Sequence, residues 1–280
     1  MLAAKAGRFD WLLWGLVTLG LCFAHCTNNL VNDLTDYWKG VDADNYFRTQ
    51  YGPQTVQSGF LSVRQMLVYT TVTGAIALAL GAYLVVLRGE LALLMLGFGA
   101  FFVLFYTFPL KYIGMGEPAV LLVWGPLMVG GSYFVITGQW SNEVAVASVA
   151  YALAPTAVLF GKHIDKLDAD REKRIHTLPV ILGERISRKV VLGMLIFQYF
   201  LIGYLVFTGF FSPALVIVLA AIPSLKRVWE TYRDPRPASP PPEAEKVWPL
   251  WFVAVTFWYT RRFGGLFLVG LIADVILSRV

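Results

Sequence analysis

The chain has 280 residues, of which 57% are hydrophobic and 15% charged, with a net charge of +5 and a mean hydropathy of +0.62. Soluble domains of this size carry about 25% charged residues, so the composition excludes one. Charge gathers in blocks between long apolar runs, as repeated membrane crossings require, and the basic excess at the ends of those runs reports topology, not nucleic-acid binding.

A transmembrane helix needs about 20 mostly apolar residues. Such runs predict an all-α integral membrane protein, a bundle of about eight spans over 10–32, 65–87, 91–108, 117–137, 143–161, 189–209, 212–226 and 248–278. A β-barrel would alternate apolar and polar residues, whereas Val120 to Tyr133 is apolar on both faces. Lys5 and Arg8 precede the first run without a small-residue cleavage site, so that run reads as a span and not a signal peptide. Cys22 and Cys26 lie one turn apart within it, too few for a disulfide framework. The last run is too long for one crossing and is expected to divide into an interfacial piece, Trp248 to Tyr259, and a span from Phe263.

Counting crossings puts the polar loops 33–64, 162–188 and 227–247 on one side. With Lys189 and Lys226 at the loop edges, and Lys111, Arg261 and Arg262, that side holds 19 of the 23 Lys and Arg residues. By the positive-inside rule it is cytoplasmic. The expectation is one domain over 1–280, multi-pass in the cell membrane, with these loops facing the cytoplasm. The loop from Arg233 to Lys246 is proline-rich and reads as a solvated connector.

Two polar constellations face that side. At the end of the first span Asn29, Asn32, Asp33, Asp36 and Gly40 recur at three- and four-residue steps, which gathers amide and carboxylate oxygens on one helix face. A helix merely leaving the membrane would show Lys and Arg there, and polar groups at membrane depth are costly and usually functional. In 161–178, Asp165 and Asp168 share a helical face, and Asp170 joins them only if the helix bends or ends. Two carboxylate clusters at one mouth suit Mg²⁺, an ion commonly completed by substrate phosphates. Nearby Lys and Arg would add to the stabilisation of a leaving diphosphate. On these residues alone the expected chemistry is metal-assisted and acts on a lipid-like diphosphate.

These residues resemble the UbiA superfamily of intramembrane prenyltransferases. The first motif, carried by Asn29, Asp33 and Asp36 with Asn32, Gly40 and Asp42, is similar to that of the 1,4-dihydroxy-2-naphthoate polyprenyltransferase branch. Gly52-Pro53, Gln57-Ser58-Gly59 and the segment from Pro109 to Glu117 continue the likeness, as do Asp165, Asp168, Asp170 and Arg171 followed by Thr177-Leu178-Pro179-Val180.

The resemblance implies a helical bundle around a central cavity, with Mg²⁺ and a prenyl diphosphate between the two acidic segments. Asn29, Asp33 and Asp36 would hold one metal, and Asp165, Asp168 and Asp170 the other, with Asp33, Asp36, Asp168 and Asp170 catalytic. Asn29, Asn32, Arg48, Arg64, Glu117, Lys162, Lys166 and Arg171 would bind substrate, Glu117 on the acceptor side. Alanine at Asp33 or at Asp168 would then abolish pyrophosphate release. The implied partners are a prenyl diphosphate, an aromatic acceptor and the lipid bilayer. The expected acceptor is 1,4-dihydroxy-2-naphthoate, in menaquinone biosynthesis, with hydroxybenzoate, homogentisate or a glycerol lipid as alternatives.

A transporter is the reading from another class, but transport sites usually sit near the midplane, and Asp274 is the one deep carboxylate in the last run. Three departures accompany the resemblance. The family usually has nine spans, and its first helix is not found here, through a late start or a cavity closed differently. An arginine usual before Gln57 is replaced near Gln54. Lys162 and His163 stand where the second motif usually opens with Asn, and Asp165 sits one residue off the acidic position.

Overall fold

The computed structural model describes residues 1–41, 43, 54–242 and 245–278, and every long element is helical. Asp42, Arg48, Gly52 and Pro53, which carry expectations above, lie outside the described residues. Helix α1 spans Trp11–Trp38, about 42 Å at 1.5 Å per residue. Asp10 starts it by accepting from the Leu13 amide at 2.8 Å. The polar loop expected from residue 33 therefore begins six residues later, and Asp33 and Asp36 stand on regular helix.

Helix α2, Val63–Arg88, opens with a capping box between Ser62 and Gln65. Gly89, at φ +75°, turns the chain directly into α3, Glu90–Phe105, a conformation that a residue with a Cβ resists. Helix α4 runs over Gly116–Thr137 and widens into a π-helical stretch, Val123–Gly130, around Pro126, whose missing N–H breaks the regular ladder.

The second half begins with α5, Asn142–Asp165, capped by Ser141. Lys166 leaves the helical region (φ −112°, ψ 23°), and the chain restarts as the short helices α6, Leu167–Glu172, and α7, Leu178–Leu182. Helix α8 covers Glu184–Phe207. A 3₁₀ stretch, Pro213–Ala221, leads into α9, Ile222–Tyr232. The last helix, α10, is Phe252–Leu277.

Among the described residues five helices (α1, α2, α4, α5 and α8) are long and apolar enough to cross a membrane, and α3 is a shorter apolar helix. The last run differs from expectation. Trp248 to Tyr259 is no separate interfacial piece, because from Phe252 onward α10 is one unbroken helix with Arg261 and Arg262 exposed on its surface. A helix satisfies its own backbone groups, so two exposed charges need not interrupt it.

In the first half α1 lies along α2. In the second α5 is sandwiched by α8 and α10. Small residues on α5 (Ala147, Ala150, Ala154 and Ala157) are almost fully buried and let its neighbours approach closely. The amide of Gln198 on α8 joins the three helices, donating to the Ala150 carbonyl at 2.7 Å and accepting from the Tyr259 hydroxyl at 3.2 Å. Asp274, on α10, is a structural anchor. It takes Lys5 at 2.7 Å and the Ser212 amide at 2.7 Å, while Lys5 also donates to the Phe210 carbonyl.

Candidate active site

The first-half helices and the inner face of α5 enclose a cavity of about 900 Å³. Its walls are mainly apolar, from Leu84, Ala92 and Val135 at one end to Phe102, Val103 and Val120. Polar groups collect at the other end. Asn29, Asn32, Asp33 and Asp36 face it from α1, and Lys162, His163 and Lys166 face it from the end of α5, with Lys111 between the two. The two motif segments share one end of the bundle: the Lys173 ammonium of the second donates to the Gly40 carbonyl of the first at 2.8 Å.

Neighbours hold oxygens of three residues on the first face. Asn32 accepts from Thr107 at 3.0 Å, and Asp33 from Thr55 at 3.1 Å. Asp36, buried, receives Lys111 on both oxygens at 2.8 and 3.1 Å. Burial pulls the Lys111 ammonium below the usual lysine value, against the opposing pull of Asp36. Lys111 also feels the buried Lys166–Asp170 pair, 2.7 Å apart, so charges alternate across the mouth from one motif to the other. The Tyr112 hydroxyl beside them is pushed up to about 12, by burial first and then by Asp36 and Asp170.

The second motif does not gather three carboxylates. The break at Lys166 re-aims the chain, so Asp165 and Asp168 do not continue one helical face. Asp165 is buried and turned toward the last helix, where it accepts from the Phe252 and Val253 amides at 2.9 and 3.0 Å, with Arg236 3.7 Å away. It is the N-terminal cap of α10, since a carboxylate satisfies amides that have no partner within the helix. At this crossing α5 comes into backbone contact with α10: a Cβ on Gly161 would lie 3.0 Å from the Val253 backbone. Asp168 is 88% exposed and paired with Arg171 at 2.9 Å. Both aspartates border a smaller polar cleft of about 320 Å³, shared with Glu184 and Arg236. Asp170 does not line the cavity itself but pairs at 2.7 Å with Lys166, which does. The Asp170 Oδ2 is buried and has no hydrogen-bond partner among the described residues.

Arg64 and Arg171 are exposed and do not line the cavity. Glu117 does not line it either. It lies behind the wall, 1% exposed, and holds His163 Nδ1 at 2.6 Å through Oε1 while Oε2 accepts from the Leu178 amide at 3.3 Å. Among the described residues no three Asp, Glu, His or Cys side chains form a metal-binding group. The α1 face nevertheless fits a hard divalent cation, because the donors it turns to the cavity, on Asn29, Asn32, Asp33 and Asp36, are carboxylate and amide oxygens. Asp165 and Asp168 do not fit a second one.

The family model for the UbiA prenyltransferase family matches residues 1–250. The chain belongs to the UbiA prenyltransferase family. A UbiA prenyltransferase domain-containing protein 1 of Danio rerio is 29% identical over 65% of this chain and 54% of its own length. The 1,4-dihydroxy-2-naphthoate octaprenyltransferase of Escherichia coli K12 is 30% identical over 67% and 63%. The matched stretch thus spans little more than half the length of these curated relatives. Two solved UbiA homologues share the fold. The apo protein of Aeropyrum pernix K1 superposes with a TM-score of 0.68 at 18% identity, covering 98% of this chain and 95% of the other. The Archaeoglobus fulgidus protein bound to DMAPP and Mg²⁺ gives 0.60 at 16%, covering 95% and 94%.

Proposed function

We propose that this UbiA-family chain transfers a prenyl group from a prenyl diphosphate to an aromatic acceptor. The supporting observation is the two-faced mouth: an acidic and amide face on α1 opposite lysines on α5, above an apolar cavity that suits an isoprenoid tail. The Archaeoglobus fulgidus homologue has been solved bound to DMAPP and Mg²⁺ and to GPP and Mg²⁺.

Asn29, Asp33 and Asp36 would hold one Mg²⁺, and Asp170 would act from the second motif through Lys166, its partner at 2.7 Å. That ion, when bound, offsets the charge that gathers on the leaving diphosphate. Lys162 and Lys166 do the work this fold would otherwise assign to a second metal, meeting the diphosphate with fixed ammonium groups. Asn32, held by Thr107, orients the head group. The apolar walls hold the tail and exclude water from the allylic carbon, so the acceptor ring rather than water meets it. In this reading Arg64 and Arg171 serve only as basic surface at the mouth.

The acceptor we favour is 1,4-dihydroxy-2-naphthoate, which would place the chain in menaquinone biosynthesis. Two relatives carry that substrate in their names, from Escherichia coli and Haemophilus influenzae. The basic loop residues support a mouth on the cytoplasmic side of the cell membrane. Membranes containing the chain, supplied with Mg²⁺, geranyl diphosphate and a panel of hydroxylated aromatic acids, should yield a C-prenylated product by mass spectrometry. The naphthoate should be consumed fastest. Absence of any prenylated aromatic across the panel refutes the proposal.

A further inference from the structure

The buried Glu117–His163 pair joins three segments that are far apart in the chain: the start of α4, the end of α5 and the start of α7. Nothing in the diphosphate chemistry above uses it. Only one partner reaches the cavity, since His163 lines the wall and Glu117 stands behind it. With Nδ1 held by the carboxylate at 2.6 Å, the proton belongs on that nitrogen, and Nε2 is left as a lone-pair acceptor.

Position sharpens the case. His163 lies between Lys162 and Lys166 in sequence, and all three line the polar end. The allylic carbon is one bond from the diphosphate oxygen, so an attacking ring must lie beside whatever grips that diphosphate. His25 also lines the cavity, but from α1, where its ring meets Trp124 edge-on at 5.9 Å. No carboxylate fixes its tautomer among the contacts of the described residues.

We infer that His163 Nε2 takes the hydroxyl proton of the aromatic acceptor, and that Glu117 is the positioning residue that holds the imidazole ready to do so. The inference rests on the prenyl-transfer reading. The acceptor O–H bond breaks, its proton goes to Nε2, and its electron pair enriches the ring. A ring carbon then bonds to the allylic carbon while the carbon–oxygen bond to the diphosphate breaks, the pair leaving with the diphosphate. Loss of the ring substituent at that carbon, as a proton or as carbon dioxide, restores aromaticity, and the imidazolium returns its proton to water.

Two substitutions separate this role from a packing role. H163N keeps an amide donor near the Nδ1 position and removes Nε2, whereas H163Q places an amide near Nε2 and gives up the grip on Glu117. Both are assayed as full-length protein in detergent with Mg²⁺ and geranyl diphosphate. One acceptor is 1,4-dihydroxy-2-naphthoate, and the other a ring-fluorinated analogue whose hydroxyl is already ionised at the assay pH. A positioned base is worth about 10²- to 10⁴-fold. H163N should therefore lose about a hundredfold or more in kcat with the first acceptor and only a few-fold with the ionised one. E117Q should show the same selective pattern more weakly, and H25N should not discriminate between the acceptors. Geranyl diphosphate affinity, measured by displacement, confirms that each variant is folded. Full activity of H163N, or equal losses with both acceptors, overturns the assignment of the base while leaving prenyl transfer standing. A wild-type chain that prenylates neither acceptor overturns both.

Discussion

Lys111 places its ammonium 2.8 Å from one oxygen of Asp36 and 3.1 Å from the other, and both side chains are buried. A buried pair of this kind adds little over a well-packed apolar pair, but breaking it is costly because a lone charge is left behind. K111M should therefore destabilise the protein by about 3–5 kcal/mol. Adding D36N should recover a large part of that loss, a coupling that a double-mutant cycle in detergent would measure. Independent, additive effects would show that the pair is not a unit.

The two motifs should respond differently to alanine. D33A removes an oxygen from the face proposed to hold the cation, and pyrophosphate release should fall by about a hundredfold or more, with a raised Mg²⁺ requirement. D168A removes only an exposed partner of Arg171, in a class of pair worth about 0–1 kcal/mol, so turnover should stay within a factor of about two. Isothermal titration with Mg²⁺ and a non-hydrolysable diphosphate should show the same contrast. A D168A variant as inactive as D33A would return Asp168 to the site.

Asp165 should matter for stability rather than chemistry. D165A leaves the Phe252 and Val253 amides without their acceptor, at about 1–3 kcal/mol for each orphaned group. The variant should melt earlier and show faster hydrogen exchange at the start of α10, while affinity for a prenyl diphosphate changes little.

Alkaline pH provides a further check. The Tyr112 hydroxyl is pushed up to about 12, from an ordinary value of 10, chiefly by burial. A group whose pKa is raised on folding contributes stability in full below the unfolded value and loses it as pH rises through the folded one. Tyr112 should therefore cost stability between pH 10 and about 12, and in Y112F that part of the slope should vanish. Parallel melting curves for the two proteins across this window would count against it.

Much of this was legible in the sequence because apolar runs and motif spacing are local properties. The eight runs all became helical segments, and the three- and four-residue steps from Asn29 to Asp36 did make one face. What spacing could not show was the break at Lys166. A face count from Asp165 to Asp168 assumes continuous helix, and a single non-helical residue sends the two side chains to different surroundings. The length of the last run misled in the opposite direction, suggesting a division where the backbone continues. The Glu117–His163 contact was out of reach because it joins residues 46 positions apart. The one available signal was a histidine standing where the family usually has an amide.

The unbroken course of α10 sets the height of the mouth relative to the lipid. Arg261 stands about 14 Å along the helix from its first residue, and exposed guanidinium groups settle among lipid phosphates, bending upward from the acyl chains to reach them. That would carry Phe252 to Thr260, and the Asp165 end of α5 on which it rests, into the headgroup layer as the first turns of one continuous helix. Under the prenyl-transfer proposal, a diphosphate donor lying in that leaflet would already carry its charged end near the level of the α5 lysines and would enter sideways with its tail still in hydrocarbon.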